Sequence, residues 1–310
     1  PHINQIGEVY SLYANLRTDV YWVSNTEDSA IRSGVSGRIF PQIGLDWRFP
    51  FARHDGRFTQ LIEPIAGVIV APNGGNSNKI PNEDSRDFEL DDTNVFSQNR
   101  FTGLDRVEGG QRIHYGMKGA IHGAQAGSLS AFIGQSYRIR RDDTFDEGTG
   151  LDENFSHVIG RVRISPGRLV DILYRFRVDN EEFNPKRNEV TANFGPPALN
   201  LATTYLFIDQ QGQTDEFPDR QELTTTLSSK ITTRWSFSAA TRRNLEPGGG
   251  TLNNQFGLNY QDECFALGAN FTRTFTQDRD VRPSDTIYLQ VRFKYPGGQV
   301  QFAPARARKL

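Results

Sequence analysis

Carboxylates are the first groups in this sequence with chemistry to offer. Glu83, Asp84, Asp87, Glu89, Asp91 and Asp92 crowd one stretch, and Asp142, Asp143, Asp146, Glu147, Asp152 and Glu153 another. Hard divalent cations take such oxygens, yet neither run has the alternate acidic positions and closing Glu of a twelve-residue calcium loop. They read as external, solvated acidic loops with no dedicated metal site, able at most to share cations with neighbouring phosphates. The basic residues follow another rule. Arg138 and Arg140, Arg161 and Arg163, Arg175 and Arg177, with Arg292, occupy the polar phase of alternating segments, so each set projects from one face of a strand. Such a row could accommodate an anionic solute, or could simply line a water-filled wall.

Catalytic groupings are thin. His2, His54, His114, His122 and His157 are scattered, and no pair has ligand spacing or a neighbouring Cys. With no Gly-x-Ser-x-Gly elbow or phosphate-cradling glycine loop, the chain is expected to be no enzyme and to need no cofactor. A single cysteine, Cys264, excludes an internal disulfide framework and a multi-thiolate zinc site. It is either a small inward-facing residue or, in an oxidising compartment, a thiol whose partner lies outside this chain.

The elements that position these groups are strands. The 310 residues are 36% hydrophobic with 22 Phe, 10 Tyr and 29 Gly, too aromatic for disorder. The longest uncharged apolar run, Pro64 to Pro72, is far short of a spanning helix, which needs about 20 apolar residues. A net charge of -2 gives no overall footprint for nucleic acid. Alternation at period 2 is widespread: Ile287, Leu289, Val291, Phe293 and Tyr295 against Tyr288, Gln290, Arg292 and Lys294, and Ile231, Thr233, Trp235 and Phe237 against Thr232, Arg234 and Ser236. Fourteen strands are expected, near 7–23, 35–52, 58–71, 109–123, 128–140, 155–165, 168–179, 187–195, 198–208, 220–229, 231–242, 251–261, 264–275 and 285–296.

Short and long connections alternate along the whole series. Turns near 53–57, 124–127, 165–167, 195–197, Lys230 and Asp262 take turns with long polar links such as 24–34, 71–108, 141–154 and 209–219. Short turns at one end and long loops at the other are the pattern of a transmembrane β-barrel. The fold class expected is therefore all-β, an antiparallel outer-membrane barrel with about fourteen strands visible. Residues 1–296 form the barrel part, and 297–310, which include Pro304, Arg306, Arg308 and Lys309, form a disordered or periplasmic tail. A start at Pro1 with no apolar signal segment is expected of a processed product or a fragment.

Ile80-Pro-Asn-Glu-Asp-Ser85, Phe88-Glu-Leu-Asp-Asp92, Asn99-Arg-Phe-Thr-Gly-Leu-Asp-Arg-Val-Glu-Gly-Gly110, Tyr260-Gln-Asp-Glu-Cys-Phe265 and Phe275-Thr-Gln-Asp-Arg-Asp-Val-Arg-Pro283 together resemble the C-terminal part of the LptD family of lipopolysaccharide-assembly proteins. The resemblance covers nearly all the chain from about residue 35. It implies an outer-membrane barrel of about twenty-six strands in a Gram-negative bacterium, of which this chain would be an open C-terminal half. It further implies lipopolysaccharide as cargo, an LptE-like lipoprotein plug, a periplasmic LptA-like bridge reached through a missing N-terminal domain, and release into outer-membrane lipid by a lateral gate. On that mapping 285–296 is the last strand, and Ile287, Leu289, Val291 and Phe293 belong to the gate. Cys264 falls where the family places a cysteine bonded to the N-terminal domain. Some members carry two adjacent cysteines where Glu263 precedes a single one here, so one bridge is implied. The alternatives are a complete fourteen-stranded FadL-like or porin-like uptake channel, closed by its first and last strands, and a soluble all-β carbohydrate-binding protein.

Overall fold

The computed structural model describes residues 1–24, 34–85, 89–124, 127–141, 144–146, 148–209, 219–276, 282–295 and 298–302; Asp87, Asp142, Asp143 and Glu147 lie outside them. The described residues form seventeen strand segments and no helix: β1 (His2–Ile3), β2 (Val9–Val23), β3 (Gly34–Arg48), β4 (Phe51–His54), β5 (Phe58–Val70), β6 (Gln111–Gly123), β7 (Gly127–Arg138), β8 (Val158–Ser165), β9 (Val170–Val178), β10 (Pro185–Phe194), β11 (Leu199–Ile208), β12 (Arg220–Lys230), β13 (Trp235–Asn244), β14 (Thr251–Gln261), β15 (Phe265–Thr274), β16 (Ser284–Tyr295) and β17 (Gly298–Phe302). All fourteen expected strands are present. Connections alternate in length as expected, from the short 55–57, 166–169 and 262–264 to the long 71–110 and 139–157.

Three details differ. The expected strand 35–52 is two, because Pro50 has no N–H for the ladder; Phe49 N–H reaches Pro64 O instead (3.1 Å) and β4 restarts beyond. Ile231 and Thr233 belong to a turn rather than a strand, in which the Thr232 hydroxyl accepts the N–H of Arg234 (3.2 Å) and Trp235 (3.0 Å). The chain does not stop pairing at residue 296. β17 pairs with β16 from Val291↔Phe302 to Tyr295↔Gly298, so β16 is not the last strand.

Two compact units divide the chain. The first holds Pro1–Arg163 and Arg175–Arg187. In it β2 pairs with β3 from Val9↔Arg48 to Val23↔Gly34, β3 with β5, β5 with β6 from Phe58↔Gly123 to Val70↔Gln111, and β6 with β7, all antiparallel. Alternation sends Leu12, Leu16, Val20 and Trp22 to one face, where they are 69–82% exposed, with Val35, Ile39, Ile62, Met117 and Ile133 beside them. An uncovered apolar surface of this extent is what a lipid-facing wall requires. The opposite face carries Arg38, Gln42, Glu63, Arg112, His114, Ser136 and Arg138, all buried. The 71–110 loop covers much of this face, with Leu90 and Val95 packing against Phe132, Phe145, Leu151 and Ile159 in one cluster and Val107 against Phe40 and Ala71 in another.

The second unit holds Ile164–Tyr174, Asn188–Asp209 and, among the described residues, 219–302. β11 to β17 pair in sequence order, antiparallel throughout, with one register shift at Arg242/Arg243. Leu201, Leu227, Trp235, Phe256, Leu267, Ile287, Leu289 and Phe293 are exposed along its apolar face. Cross-strand neighbours on the other face are mainly polar side chains, among them Thr204↔Thr224, Ser228↔Ser238 and Asn270↔Tyr288. Arg292 stands in that polar row, opposite Ala266.

Phe256 lies mid-strand on the apolar face, opposite Ala239 and Phe271. Phe256→Arg should cost about 2 to 4 kcal/mol of folding into lipid vesicles, whereas Gln255→Arg, one residue along and on the polar face, should change it by less than about 0.5 kcal/mol. Denaturant midpoints of vesicle refolding read both, and equal losses would refute the assignment of faces.

Candidate functional site

The buried arginines of the first unit and the loop that covers them form the site. The loop is closed at its neck. Ala71 N–H donates to Gly110 O (3.1 Å) and Gly110 N–H to Pro72 O (3.0 Å). Gly109 is required there, because a Cβ would lie 2.6 Å from both Pro72 O and Gly74 O. Higher up, Asn76 bridges the two limbs: its Oδ1 accepts Val107 N–H and its Nδ2 donates to Val107 O, both 2.8 Å.

The limbs then cross-cap each other. Asp84 accepts the N–H of Leu104 (2.8 Å) and Asp105 (3.0 Å), while Asp105 accepts the N–H of Glu83 (2.8 Å) and Asp84 (3.2 Å). A Cβ on Gly103 would stand 2.2 Å from an Asp84 carboxylate oxygen, so glycine is the residue that admits this contact. The backbone N–H groups of Leu104 and Asp105 draw the Asp84 carboxyl down to about 2. Two of the stretches that carry the resemblance, 80–85 and 99–110, are thus two limbs of one loop, and their acids Asp84 and Asp105 cap backbone amides. Asp91 does the same locally, accepting the N–H and hydroxyl of Thr93 (2.8 and 2.6 Å).

Three other loop carboxylates meet the arginines. Asp92, with a side chain only 1% exposed, accepts Arg161 Nη1 (2.9 Å) and pairs with Arg175 Nε (3.2 Å). Glu89 pairs with Arg187 and lies 3.9 Å from Arg177. Glu108 is fully buried among three guanidiniums, with Arg138 Nη2 at 3.1 Å, Arg100 Nε at 3.5 Å and Arg112 Nε at 3.6 Å. Burial would raise the Glu108 carboxyl, but the three cations outweigh it and hold it below the usual carboxylate range. Burial lowers Arg100 to about 10, which still leaves it charged at neutral pH. The remaining donors find loop carbonyls: Arg112 reaches Ser97 O and Gln98 O, and Arg38 reaches Gly75 O, Leu104 O and Asp105 O besides Asp19.

The solvated acidic surface expected of Asp92 is therefore overturned by its burial, since a loop this long can fold back onto a face rich in arginine. Of the arginines, Arg138, Arg161, Arg175 and Arg177 share the loop-covered face. Arg140 lies past the end of β7 and is exposed, as is Arg163 near the end of β8. Arg100, Arg112, Arg187 and Glu108 were not singled out from sequence as ion-pair partners, and Glu89 was read only as part of an acidic cluster. The available signal was Leu90, Val95, Phe96 and Phe101 inside a stretch otherwise read as polar. Among the described residues no three acidic, His or Cys groups converge as a metal cage.

Cys264 sits exposed in the β14–β15 turn, not inward on a strand. Asp262 shapes the turn, its Oδ1 accepting the N–H of both Cys264 and Phe265 at 2.8 Å.

Residues 1–235 match the family model LptD, described as LPS transport system D. The LPS-assembly protein LptD of Pectobacterium atrosepticum is 31% identical over 136 residues, 43% of this chain and 17% of that protein. Its counterpart in Hahella chejuensis is 26% identical over 258 residues, 78% of this chain and 30% of that protein. The matched stretches thus span less than a third of either relative. Among solved structures, a triple mutant of the Rhodopseudomonas blastica porin aligns over 94% of this chain and 93% of its own at 10% identity, with a TM-score of 0.38.

His157 closes the second long link, with its N–H on Gly150 O (2.9 Å), and burial together with Arg177 lowers its imidazole to about 4. A depressed folded value means that stability is present above the ordinary value of 6.5 and is lost as pH falls from there through about 4. Amide exchange in 148–157 should accelerate across that window in the native protein and stay flat in His157→Gln. Flat behaviour in both would refute the assignment.

Proposed function

The chain belongs to the LptD family, and from that membership we propose that it is the C-terminal part of a barrel that assembles lipopolysaccharide into the outer leaflet. It is an outer-membrane protein of a Gram-negative bacterium. The family match over residues 1–235 carries the reading, and the strand faces support it: apolar side chains exposed on one side, polar ones on the other. The family's work is transport and assembly, and the reading includes no covalent step. Cargo passes along the polar interior and leaves through a lateral gate. In this chain the gate lies at the C-terminal edge, built from β17 together with β16 and its Ile287, Leu289, Val291 and Phe293, because β17 follows the strand first expected to be last. An LptE-like lipoprotein occupies the interior, and an LptA-like bridge delivers cargo through the N-terminal domain to which Cys264 is bonded.

Depleting the full-length protein should halt the appearance of newly made lipopolysaccharide on the cell surface, followed with a membrane-impermeant label, and re-expression should restore it. Continued surface delivery during depletion would overturn the reading. Separately, Cys264→Ser should abolish a reductant-sensitive mobility shift of the full-length protein on non-reducing gels, and Asp262→Ala should diminish it. A shift that survives Cys264→Ser removes the disulfide from the proposal.

A further inference from the structure

We propose that the 71–110 loop is a built-in stopper, docked on the basic face of the first unit and latched there by Glu108. The proposal rests on the reading of this sheet as barrel wall, since only then does the covered face line a passage. A solvated forty-residue excursion has no reason to hold one conformation, and long loops with a defined fold are commonly lids or binding elements. The described residues of this one, 71–85 and 89–110, are tied to one another. Its neck is tied by the Ala71–Gly110 and Gly110–Pro72 hydrogen bonds, its limbs cross-cap through Asp84 and Asp105, and its Leu90 and Val95 enter an apolar cluster with Phe132 and Ile159 of the wall. An apolar cluster on the polar side of a membrane strand serves no lipid contact; it serves to seat the loop.

Charge decides how the seat is held. Glu89, Asp92 and Glu108 each take arginines from the strands, so the loop brings counter-ions to β6 to β10. Glu108 differs from the other two. Its carboxylate is wholly buried, it gathers Arg112 of β6, Arg138 of β7 and the loop's own Arg100, and it stands next to the Gly109–Gly110 hinge at the neck, where Gly110 has φ +87°. Removing that one charge leaves three buried guanidiniums facing each other around a neutral amide, which is far costlier than losing an exposed pair. With the neck glycines free to turn, the relief open to the structure is to swing the loop off the wall and admit water.

The test uses the full-length protein purified in detergent with any bound lipoprotein. Hydrogen exchange and planar-bilayer conductance are compared for the native protein, Glu108→Gln, and the exposed control Glu83→Gln. Glu108→Gln should speed exchange in 89–108 at least ten-fold and raise conductance several-fold, while exchange in β2 and β3 stays unchanged. Glu83→Gln should alter neither. Glu108→Gln combined with Arg112→Gln should move both readouts back towards the native protein, because the buried charge imbalance shrinks. Unchanged exchange in Glu108→Gln overturns the latch, and accelerated exchange with unchanged conductance overturns the stopper. If Glu108→Gln does not assemble, Asp92→Asn, which removes the carboxylate partner of Arg161 and Arg175, is judged by the same criteria. A native protein that needs no detergent and inserts in no bilayer instead defeats the barrel reading itself, and that outcome is visible before any variant is compared.

Discussion

An arginine carried on a membrane strand has one direction open to it. Turned towards hydrocarbon near the bilayer centre it costs about 2 to 4 kcal/mol, so a basic residue in the middle of a strand belongs on the face away from lipid. That constraint gathers Arg38, Arg112, Arg138, Arg161, Arg175 and Arg177 on one surface of the first unit. Like charges assembled in this way need counter-charge within a few ångströms; Asp19 of β2 brings it to Arg38, and much of the rest comes from outside the strands. The 71–110 loop answers the need. Its acids are drawn to the wall, its apolar residues follow, and the loop gains a fold that its composition alone would not secure.

The second unit shows what happens when that demand is absent. Its polar face is built mainly of Thr, Ser, Asn and Gln, and one charged group there is self-contained, with Glu222 holding both Arg220 and Arg242 at 2.7 Å. Hydroxyls and amides are satisfied by neighbours or water without recruiting a distant segment. The connections on that unit are correspondingly modest, such as 245–250 between β13 and β14. The two units share one strand grammar and differ in what their interior faces ask of the loops.

The same acids also show why residue type is a poor guide to a carboxylate's task. Asp84 and Asp105 cap backbone amides across the loop, Asp262 shapes the turn that presents Cys264, and Asp92 and Glu108 neutralise guanidiniums. Asp262 takes the amides of its own turn, whereas Asp84, Asp105 and Asp92 meet donors brought from elsewhere in the chain. A cluster that reads as a metal cage or a solvated surface becomes, after folding, a set of caps and ion pairs.

The sequence by itself determined the strands, their two faces and the alternation of short and long links, because a strand's side chains take sides with period 2 and turns announce themselves within a few residues. It also carried the family, through blocks such as 99–110 and 260–265. Where Pro50 splits a strand, the cause was local and readable. Tertiary structure alone decided that the long 71–110 link folds onto the wall, that Asp92 is buried, and that Glu108 gathers Arg100, Arg112 and Arg138. The contacts of Asp92 with Arg161 and of Glu108 with Arg138 join groups tens of residues apart, and no periodicity encodes them. They exist because the sheet first sets its arginines side by side, and that arrangement is a property of register between strands rather than of any strand alone.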